Sequence, residues 1–261
     1  MQKIVAIGGG KFGLGTGPID VLPICREIIR LSGRKHPKVL FIPTASYDRP
    51  ASVEMMRRLF TRRLGCGLET LYLLKTKPSV REIRRKITAS DVIFVGGGNT
   101  LKMMLRWRRL GVDKVLEQAR RAGKVLCGPS AGAICWFRQG NSDSRKFRNP
   151  KAKLIKVRGL GFIDALACPH YDVEKDRKPE LKEMMQKTQG VAIAMDNCAA
   201  LEVMGSKARA ISSKASAHVY KVFWSGGNYR QIKIGKGRNW TPLDNLTARW
   251  PVPKPSDKYR R

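Results

Sequence analysis

Short apolar runs alternate with amphipathic segments through the first half of the chain. Four runs have the length and composition of buried strands, at 3–7, 38–42, 69–73 and 91–95, and a fifth begins at 125. Apolar residues at helical spacing fill the intervals, at 18–31, 53–64, 80–87, 101–110 and 112–122. This alternation is typical of βαβ units. The sequence therefore predicts an α/β fold in which a mostly parallel sheet is flanked by helices on both faces.

The pattern changes toward the C-terminus. A helix is predicted over 175–187 and a buried strand over 190–195, which ends at Asp196-Asn197, a polar pair that either borders a site or makes a turn. Later segments alternate like antiparallel strands at one edge of a sheet, and they lie at 199–204, 208–211, 218–223 and 229–234. We therefore expect a few antiparallel edge strands near the C-terminus.

The last segment, 235–261, is rich in proline and lysine, and its prolines prevent it from joining the interior of a sheet. We predict one α/β domain over 1–234 and a basic, Pro-rich extension over 235–261 that is extended or loosely docked. Trp240 and Trp250 are candidate anchors of this extension, either to the body or to a second subunit. A homo-oligomer is therefore compatible with the sequence.

The apolar stretches, the N-terminal pattern and the cysteine spacing indicate where the protein resides and whether it binds a metal. No stretch of about 18 uninterrupted apolar residues occurs, and the N-terminus enters a strand pattern without a signal-peptide layout. We expect a cytoplasmic protein without a membrane partner. The six cysteines are scattered without a C-x-x-C pair or a histidine at zinc-ligand spacing, which predicts buried free thiols and no metal site.

The net charge is strongly positive, at +32 from 52 Lys and Arg against 20 Asp and Glu. Attraction to nucleic acid or another polyanion is one interpretation. A uniformly basic solvated surface is the other, and we favour it because no aromatic-interleaved stripe or nucleic-acid motif accompanies the charge. Segment 145–158 is the best candidate for a functional basic patch, since it could draw an acidic substrate toward a nearby site.

A serine occupies the apex of a predicted strand, sharp turn and helix. The sequence Gly128-Pro-Ser130-Ala-Gly132 has the Gly-x-Ser-x-Gly spacing of a nucleophile elbow, in which small neighbours let the backbone bend and the substrate approach. The helix that follows would aim free N–H groups at the same point, where they can stabilise an oxyanion. An ordinary glycine-rich turn has the same five-residue pattern, so other residues must distinguish the two.

The chain contains three histidines, and only one follows an apolar strand. His36 lies in a polar turn and His218 in an alternating strand, whereas His170 comes at the carboxyl end of a strand, where functional loops of parallel sheets gather. Together with the serine turn, this position makes His170 the candidate general base.

Glycine-rich turns after residues 7 and 95 are expected at the same edge of the sheet as the serine. The turn at 8–13 fits a dinucleotide-binding fingerprint only loosely, and no acidic residue ends the second strand to hold a ribose. We therefore expect no nucleotide cofactor.

Three motifs together resemble the peptidase E family of S51-type serine peptidases. They are Gly96-Gly-Gly-Asn-Thr100, Gly128-Pro-Ser-Ala-Gly-Ala133 and Cys168-Pro-His-Tyr-Asp172, within a layout that covers roughly residues 1–225. The resemblance implies a fold similar to class I glutamine amidotransferases, no cofactor, and hydrolysis of short peptides, which in the type enzymes are dipeptides beginning with aspartate. Cyanophycin-degrading hydrolases belong to the same wider family, so an acidic polymer is an alternative substrate.

The resemblance also implies roles for individual residues. Ser130 would be the nucleophile and His170 the base, and the backbone of Ala131 and of Gly97-Gly98 would form the oxyanion hole.

The third member of the triad is less clearly indicated. We favour Asp143, which lies about as far after the serine as the aspartate of the type enzyme, and Asp172 resembles the acidic position of the amidotransferase relatives. Glu202 is a further candidate.

Candidate substrate-binding residues lie in the glycine loop and after the serine turn. Asn99 is one of them, and Arg138, Arg145 and Arg148 could pair bidentately with an acidic group of the substrate.

Two other function classes are compatible with the sequence. Ser130, Asp143 and His170 also follow the chain order of an α/β-hydrolase esterase, although the serine and histidine are close in sequence and a His-Gly-Gly type loop is absent. A non-catalytic polyanion-binding protein on the same fold would explain the charge but not the serine and histidine.

Overall fold

The computed structural model describes residues 1–14, 17–188 and 190–248. Its strands form two sheets. In spatial order, the first sheet consists of β14 (Thr241–Pro242), β11 (Lys207–Ser212), β10 (Ala199–Met204), β1 (Lys3–Ile7), β5 (Val125–Pro129), β4 (Val92–Val95), β2 (Lys38–Ile42) and β3 (Gly67–Thr70). The second consists of β13 (Asn228–Lys233), β12 (Val219–Ser225), β9 (Ala192–Met195), β8 (Ile163–Cys168), β6 (Phe137–Ser142) and β7 (Ile155–Arg158).

The helices of the described chain lie between and after these strands. They are α1 (Leu22–Ser32), α2 (Pro50–Met56), α3 (Val80–Ala89), α4 (Thr100–Leu110), α5 (Val112–Arg121), α6 (Ala131–Ile134), α7 (Arg177–Gln186) and α8 (Leu243–Thr247). A 3₁₀ turn, Thr44–Ser46, follows β2, and a π-helical segment, Arg57–Arg63, continues α2.

The first sheet has the predicted arrangement. Strands β1, β5, β4, β2 and β3 are parallel neighbours, and β10, β11 and β14 add antiparallel strands at the β1 edge. Alternate residues of β1 point to opposite faces. Ile4 and Ala6 pack with α3, α4 and α5, whereas Val5 and Ile7 pack with α1 and α2. Helices therefore cover both faces, as the alternation predicts.

The second sheet was not predicted as a separate layer. In it, β6, β8 and β9 are parallel, with antiparallel strands at both edges. Ala165 and Ala167 of β8 share a core with the first sheet, and Leu166 and Cys168 on the other face pack with α7. Periodicity indicates which segments are strands, but it does not specify their partners. Strand β12 pairs with β9, and β13 pairs with β12, so neither extends the first sheet.

The start of the predicted C-terminal extension packs against the first sheet. Thr241 and Pro242 pair with β11, and Leu243 and Leu246 are buried. The guanidinium of Arg209 lies 4.5 Å from the centroid of the Trp240 ring, so this predicted anchor does contact the body. This part is therefore docked and not loose. Trp250 lies outside the described residues, and the division at 234 stays a prediction.

All six cysteines are free and buried, which confirms the prediction for the thiols. Burial raises the pKa of Cys25 and of Cys168 to about 12. Within the described part of the chain, no helix is long and apolar enough to cross a membrane.

Candidate active site

Ser130 lies at a sharp turn between β5 and α6. Its backbone has φ 54° and ψ −114°, a conformation that costs roughly 1–3 kcal/mol in a residue with a side chain. A Cβ atom on Gly128 would lie 2.1 Å from the carbonyl oxygen of Val95, and so would one on Gly132. The end of β4 therefore requires glycine on both sides of the serine, which is the physical reason for the Gly-x-Ser-x-Gly spacing here.

His170 approaches the serine from the second sheet. It follows β8 with φ 55°, and its N–H donates to the carbonyl of Gly8 at 3.0 Å, just after β1. The Ser130 N–H donates to the carbonyl of Ile7 at 3.1 Å. Both residues are thus tethered to the end of one strand, and both line one cavity of about 320 Å³. The structure brings the predicted nucleophile and base together.

Asn197 holds the imidazole ring. Nδ1 of His170 lies 2.8 Å from the side-chain oxygen of Asn197. Since that oxygen accepts only, Nδ1 carries the proton and Nε2 is left as the acceptor. This tautomer follows from the assigned orientation of the amide. A base that must take a proton from a hydroxyl requires this tautomer.

The loop around Asn197 is itself supported by carboxylates. Asp172 Oδ1 accepts from the Asn197 N–H at 2.8 Å. The neighbouring Asp196 is buried, and its Oδ2 accepts from the His218 N–H at 2.9 Å. Burial, opposed by that hydrogen bond, raises the pKa of Asp196. These contacts connect the loop that carries Asn197 to the segment after β8 and to the start of β12.

The first glycine turn makes room for the pair. A Cβ atom on Gly9 would lie 2.1 Å from Asn197 Oδ1 and 2.5 Å from His170 Nδ1. The turn that only loosely fits a dinucleotide fingerprint therefore serves the histidine and the asparagine. No side chain larger than hydrogen fits at Gly9 while the hydrogen bond is kept.

The predicted carboxylate partners of His170 are found elsewhere. Asp143 directly follows β6, and the described residues include no hydrogen bond between His170 and either Asp143 or Asp172. Glu202 is fully buried in β10, where its Oε2 accepts from Arg209 Nε at 2.8 Å. Asn197 occupies the position that we predicted for Asp143. The sequence signal for it was the polar pair at the end of a predicted strand.

The predicted oxyanion donors surround the serine. A Cβ atom on Gly97 would lie 3.4 Å from Ser130 Cβ and 3.9 Å from its Oγ, so this backbone faces the nucleophile. Gly98 has φ 132°, and a Cβ there would lie 2.2 Å from the carbonyl of Ala45. In the described chain, the N–H groups of Gly97, Gly98 and Ala131 have no backbone acceptor outside regular helix and strand pairing. Gly97 and Gly98 also line the cavity that contains Ser130.

Asn99, a predicted substrate contact, makes hydrogen bonds within the protein, and the substrate contact stays a prediction. Its Oδ1 accepts from the Lys102 N–H at 2.9 Å and caps α4. Its Nδ2 donates to Tyr47 at 3.2 Å and to the Ser144 carbonyl at 3.3 Å. The buried side chain is therefore engaged on both of its ends.

Arg138 does not lie at the catalytic cavity. It belongs to the amino end of β6, whereas the parallel strand β8 delivers His170 at its carboxyl end. Its Nε lies 3.1 Å from Asp164, and the side chain lines a separate cavity with Arg108 and Arg158. Arg138 therefore lies at the end of its strand away from the cavity with Ser130 and His170, and its role in substrate binding stays a prediction.

The cavity lined by Ser130 and His170 is formed mostly by glycine and apolar residues. Arg145 and Arg148 are exposed and do not line it. The lining residues are Gly9, Gly10, Phe12, Phe41, Ser46, Ser52, Met55, Met56, Phe94, Gly96, Gly97, Gly98, Pro129, Ser130 and His170. Among the described residues, no group of three or more His, Cys, Asp or Glu side chains could hold a metal ion.

Comparison with known proteins consistently finds similarity to peptidases. A family model described as Peptidase family S51 matches residues 4–211. The chain is 34% identical over 236 residues to the uncharacterized peptidase YgaJ of Bacillus subtilis (strain 168), which covers 90% of this chain and 97% of that protein. An uncharacterized peptidase of Listeria monocytogenes is 31% identical over 176 residues, with 64% of this chain and 78% of the relative covered.

A solved structure extends the similarity to the fold. The crystal structure of a peptidase from an acI-B1 actinobacterium superposes with a TM-score of 0.68 at 17% identity, covering 93% of this chain and 97% of that one. The fold is the class I glutamine amidotransferase-like one that the resemblance implied. The α/β-hydrolase fold of the esterase alternative therefore does not apply.

Proposed function

Because this chain belongs to peptidase family S51 and is a peptidase, we propose that it is a serine-type enzyme with Ser130 as nucleophile and His170 as general base. One observation carries the proposal. The strained serine and the histidine line the same cavity, and Asn197 holds His170 in the tautomer that can accept a proton.

The reaction begins with attack of Ser130 Oγ on the scissile carbonyl carbon, while His170 Nε2 takes the hydroxyl proton. The carbonyl oxygen becomes an oxyanion, which the N–H groups of Gly97, Gly98 and Ala131 stabilise. Each such donor is worth about 2.7–4 kcal/mol in the transition state. His170 then gives its proton to the leaving amine, and water hydrolyses the acyl-enzyme by the reverse sequence of proton transfers.

The partner of His170 is the amide of Asn197 and not a carboxylate, which changes how the protonated imidazole is stabilised. Asn197 can orient the imidazole, as the asparagine of Cys-His-Asn proteases does, but it brings no negative charge to stabilise the imidazolium that forms. The preorganised N–H donors therefore supply a larger share of the transition-state stabilisation.

Short peptides, dipeptides among them, are the proposed substrates. The cavity of about 320 Å³ is at the small end of the range for ligand sites, about 300–1,000 Å³, so it holds few residues at a time. The preference for an N-terminal aspartate that the resemblance implies is one arm of the test below.

The test is hydrolysis of a dipeptide panel with Asp-X, Glu-X and uncharged members, followed by mass spectrometry. We expect turnover by the protein and its loss in Ser130→Ala. The matched control is Ser79→Ala, which removes the serine that caps α3 through the Glu82 N–H and keeps the site intact. We expect this control to be less stable by about 1 kcal/mol but to retain turnover.

Labelling with a fluorophosphonate gives a second readout that does not depend on the substrate. A single adduct on Ser130, seen in the intact mass and absent from Ser130→Ala, is expected. Equal hydrolysis by the protein and Ser130→Ala, without an adduct, would show that Ser130 is not the nucleophile.

A further inference from the structure

The geometry points to an apolar side-chain subsite beside Ser130. We propose that this protein cleaves short peptides after residues such as leucine, methionine or phenylalanine and discriminates against aspartate and glutamate. This inference rests on the proposed serine-peptidase function and names the substrate class of the same site.

Three aromatic rings, those of Phe12, Phe41 and Phe94, form an apolar wall of the cavity. Phe12 and Phe94 meet edge to face with 5.9 Å between ring centroids, and Phe41 lies 6.2 Å from Phe94. All three rings are buried in the core formed with α1 and α2, so they are held in place. Met55 and Met56 complete the wall from α2. Methionine is flexible and polarisable, which suits side chains of several shapes.

The described lining of this cavity contains no lysine, arginine, aspartate or glutamate. Its polar side chains are those of Ser46, Ser52, Ser130 and His170. A carboxylate that entered would lose its hydration without gaining a cation, and such burial is costly. An apolar side chain instead gains from the same burial.

The basic residues of the chain do not change this conclusion. Arg138, which could have held an acidic group, pairs with Asp164 at another cavity. Arg145 and Arg148 are exposed on the loop after β6. The net charge of +32 can attract an acidic peptide to the surface, but it does not provide a partner inside the cavity.

The position of the wall assigns it to one residue of the substrate. Ser130, the N–H of Gly97 and the phenylalanine wall line one cavity. We assign the wall to the acyl residue of the substrate, whose carbonyl carbon would lie over Ser130 Oγ with its oxygen at Gly97, because the wall and both of these residues belong to one small cavity.

The experiment varies only this residue. Dipeptides X-Ala with X as leucine, methionine, phenylalanine, alanine, aspartate or lysine are compared by kcat/KM, each with Ser130→Ala as the background. We expect leucine, methionine and phenylalanine to exceed aspartate and lysine by about 100-fold, a range that pocket contacts commonly produce.

A positive charge placed in the wall tests whether the absence of a cation is the reason for discrimination against aspartate. Met55→Arg brings a cation to the half-buried edge of the cavity, and we expect it to lower the Leu-Ala to Asp-Ala ratio of kcat/KM by tenfold or more. Met184→Arg is the matched control, because Met184 is half-buried on α7 and does not line the cavity. We expect this control to leave the ratio within about twofold, as distant sites act independently.

The outcomes separate this inference from the proposed function. Fastest turnover of Asp-Ala, abolished in Ser130→Ala, would overturn the apolar subsite and keep the serine peptidase. Absence of turnover for every member would overturn the peptidase activity on dipeptides, and calorimetric binding of Leu-Ala and Asp-Ala would then decide the subsite. Tighter binding of Leu-Ala than of Asp-Ala would support the apolar subsite. Tighter binding of Asp-Ala, equal binding of the two dipeptides, or no detectable binding of either would overturn it.

Discussion

The side-chain oxygen of Asn197 lies 2.8 Å from Nδ1 of His170, so an amide and not a carboxylate positions the candidate base. Asn197 follows β9 and His170 follows β8, and these strands are parallel neighbours. The pair therefore depends on the register of the second sheet. Four predictions test this arrangement and the elements that support it.

Replacement of Asn197 tests its positioning role. In Asn197→Ala the ring loses its partner, and we expect kcat/KM to fall about 100-fold, the scale that a misplaced catalytic group produces. In Asn197→Asp a carboxylate would stabilise the protonated imidazole. The acid limb of the pH–rate profile should then move to higher pH, because the base is lost to protonation earlier as the pH falls. A profile that stays unchanged in Asn197→Asp would show that residue 197 does not contact the base.

Gly9 tests the space needed by the same pair. In Gly9→Ala the new methyl group would lie 2.1 Å from Asn197 Oδ1, so we expect a large loss of kcat/KM. Gly33→Ala is the control, because Gly33 also has a positive φ, 70°, but a Cβ there meets nothing within 4 Å. The control should lose about 1 kcal/mol of unfolding free energy and keep its kcat/KM. Similar activity losses in both variants would contradict the steric argument.

Backbone strain at Ser130 is measurable by a comparison of two inactive variants. Glycine adopts φ 54° readily and alanine does not, so Ser130→Gly should exceed Ser130→Ala in unfolding free energy by about 1 kcal/mol. Denaturant unfolding measures the difference. At Ser90, where φ is −96°, we expect the opposite order, with the alanine variant more stable. The same order at both positions would argue against strain at the serine.

Glu117 provides a pH-dependent contribution to stability. Its carboxylate accepts from Arg120 Nε at 2.8 Å and Arg121 Nε at 2.7 Å, and the hydrogen bond from Arg120 is the main cause that lowers its pKa to about 2. Since the folded-state pKa is below the ordinary 4.5, the stabilisation is present above pH 4.5 and is lost as the pH falls toward 2.

We expect Glu117→Gln to lose about 1 kcal/mol of unfolding free energy at pH 7, since the partly exposed ion pair is screened by solvent. Denaturant unfolding from pH 7 down to pH 3 should show this difference shrinking. A difference that grew on acidification would contradict the assigned sign.

The serine turn and the histidine that line one cavity could be picked out from the sequence because their signals are local. Ser130 is bracketed by glycines that a strand-to-helix turn requires, and His170 directly follows an apolar strand. Each signal lies within a few residues, so it can be recognised without knowledge of the neighbouring strands. Strands β1, β2, β4 and β5 were predicted for a similar reason, since strands buried on both faces are continuously apolar. Strand β3, which is only partly buried, lies at Gly67–Thr70 and not at the predicted 69–73.

The partner of the histidine could not be identified in this way. Asp143 was favoured for its distance along the chain from Ser130, but contact with His170 is decided by which strands pair. Arg138 was close to Ser130 in sequence, yet β6 carries it to the end of the sheet away from the site. Sequence distance fails here because a strand of six residues separates its two ends by about 17–20 Å.

The sequence by itself thus determined the α/β alternation, the strained serine turn and the candidate base, each through steric or periodic demands within a few residues. Only the tertiary structure decided that Asn197 holds His170, that Gly9 leaves room for them, and that phenylalanines from three separate segments form one wall. The first two relationships arise from the pairing of β8 with β9 and from the meeting of the two sheets. The wall arises within the first sheet, where the pairing of β2 with β4 places Phe41 beside Phe94. Contacts between residues far apart in the chain establish these relationships, so no short sequence pattern can predict them.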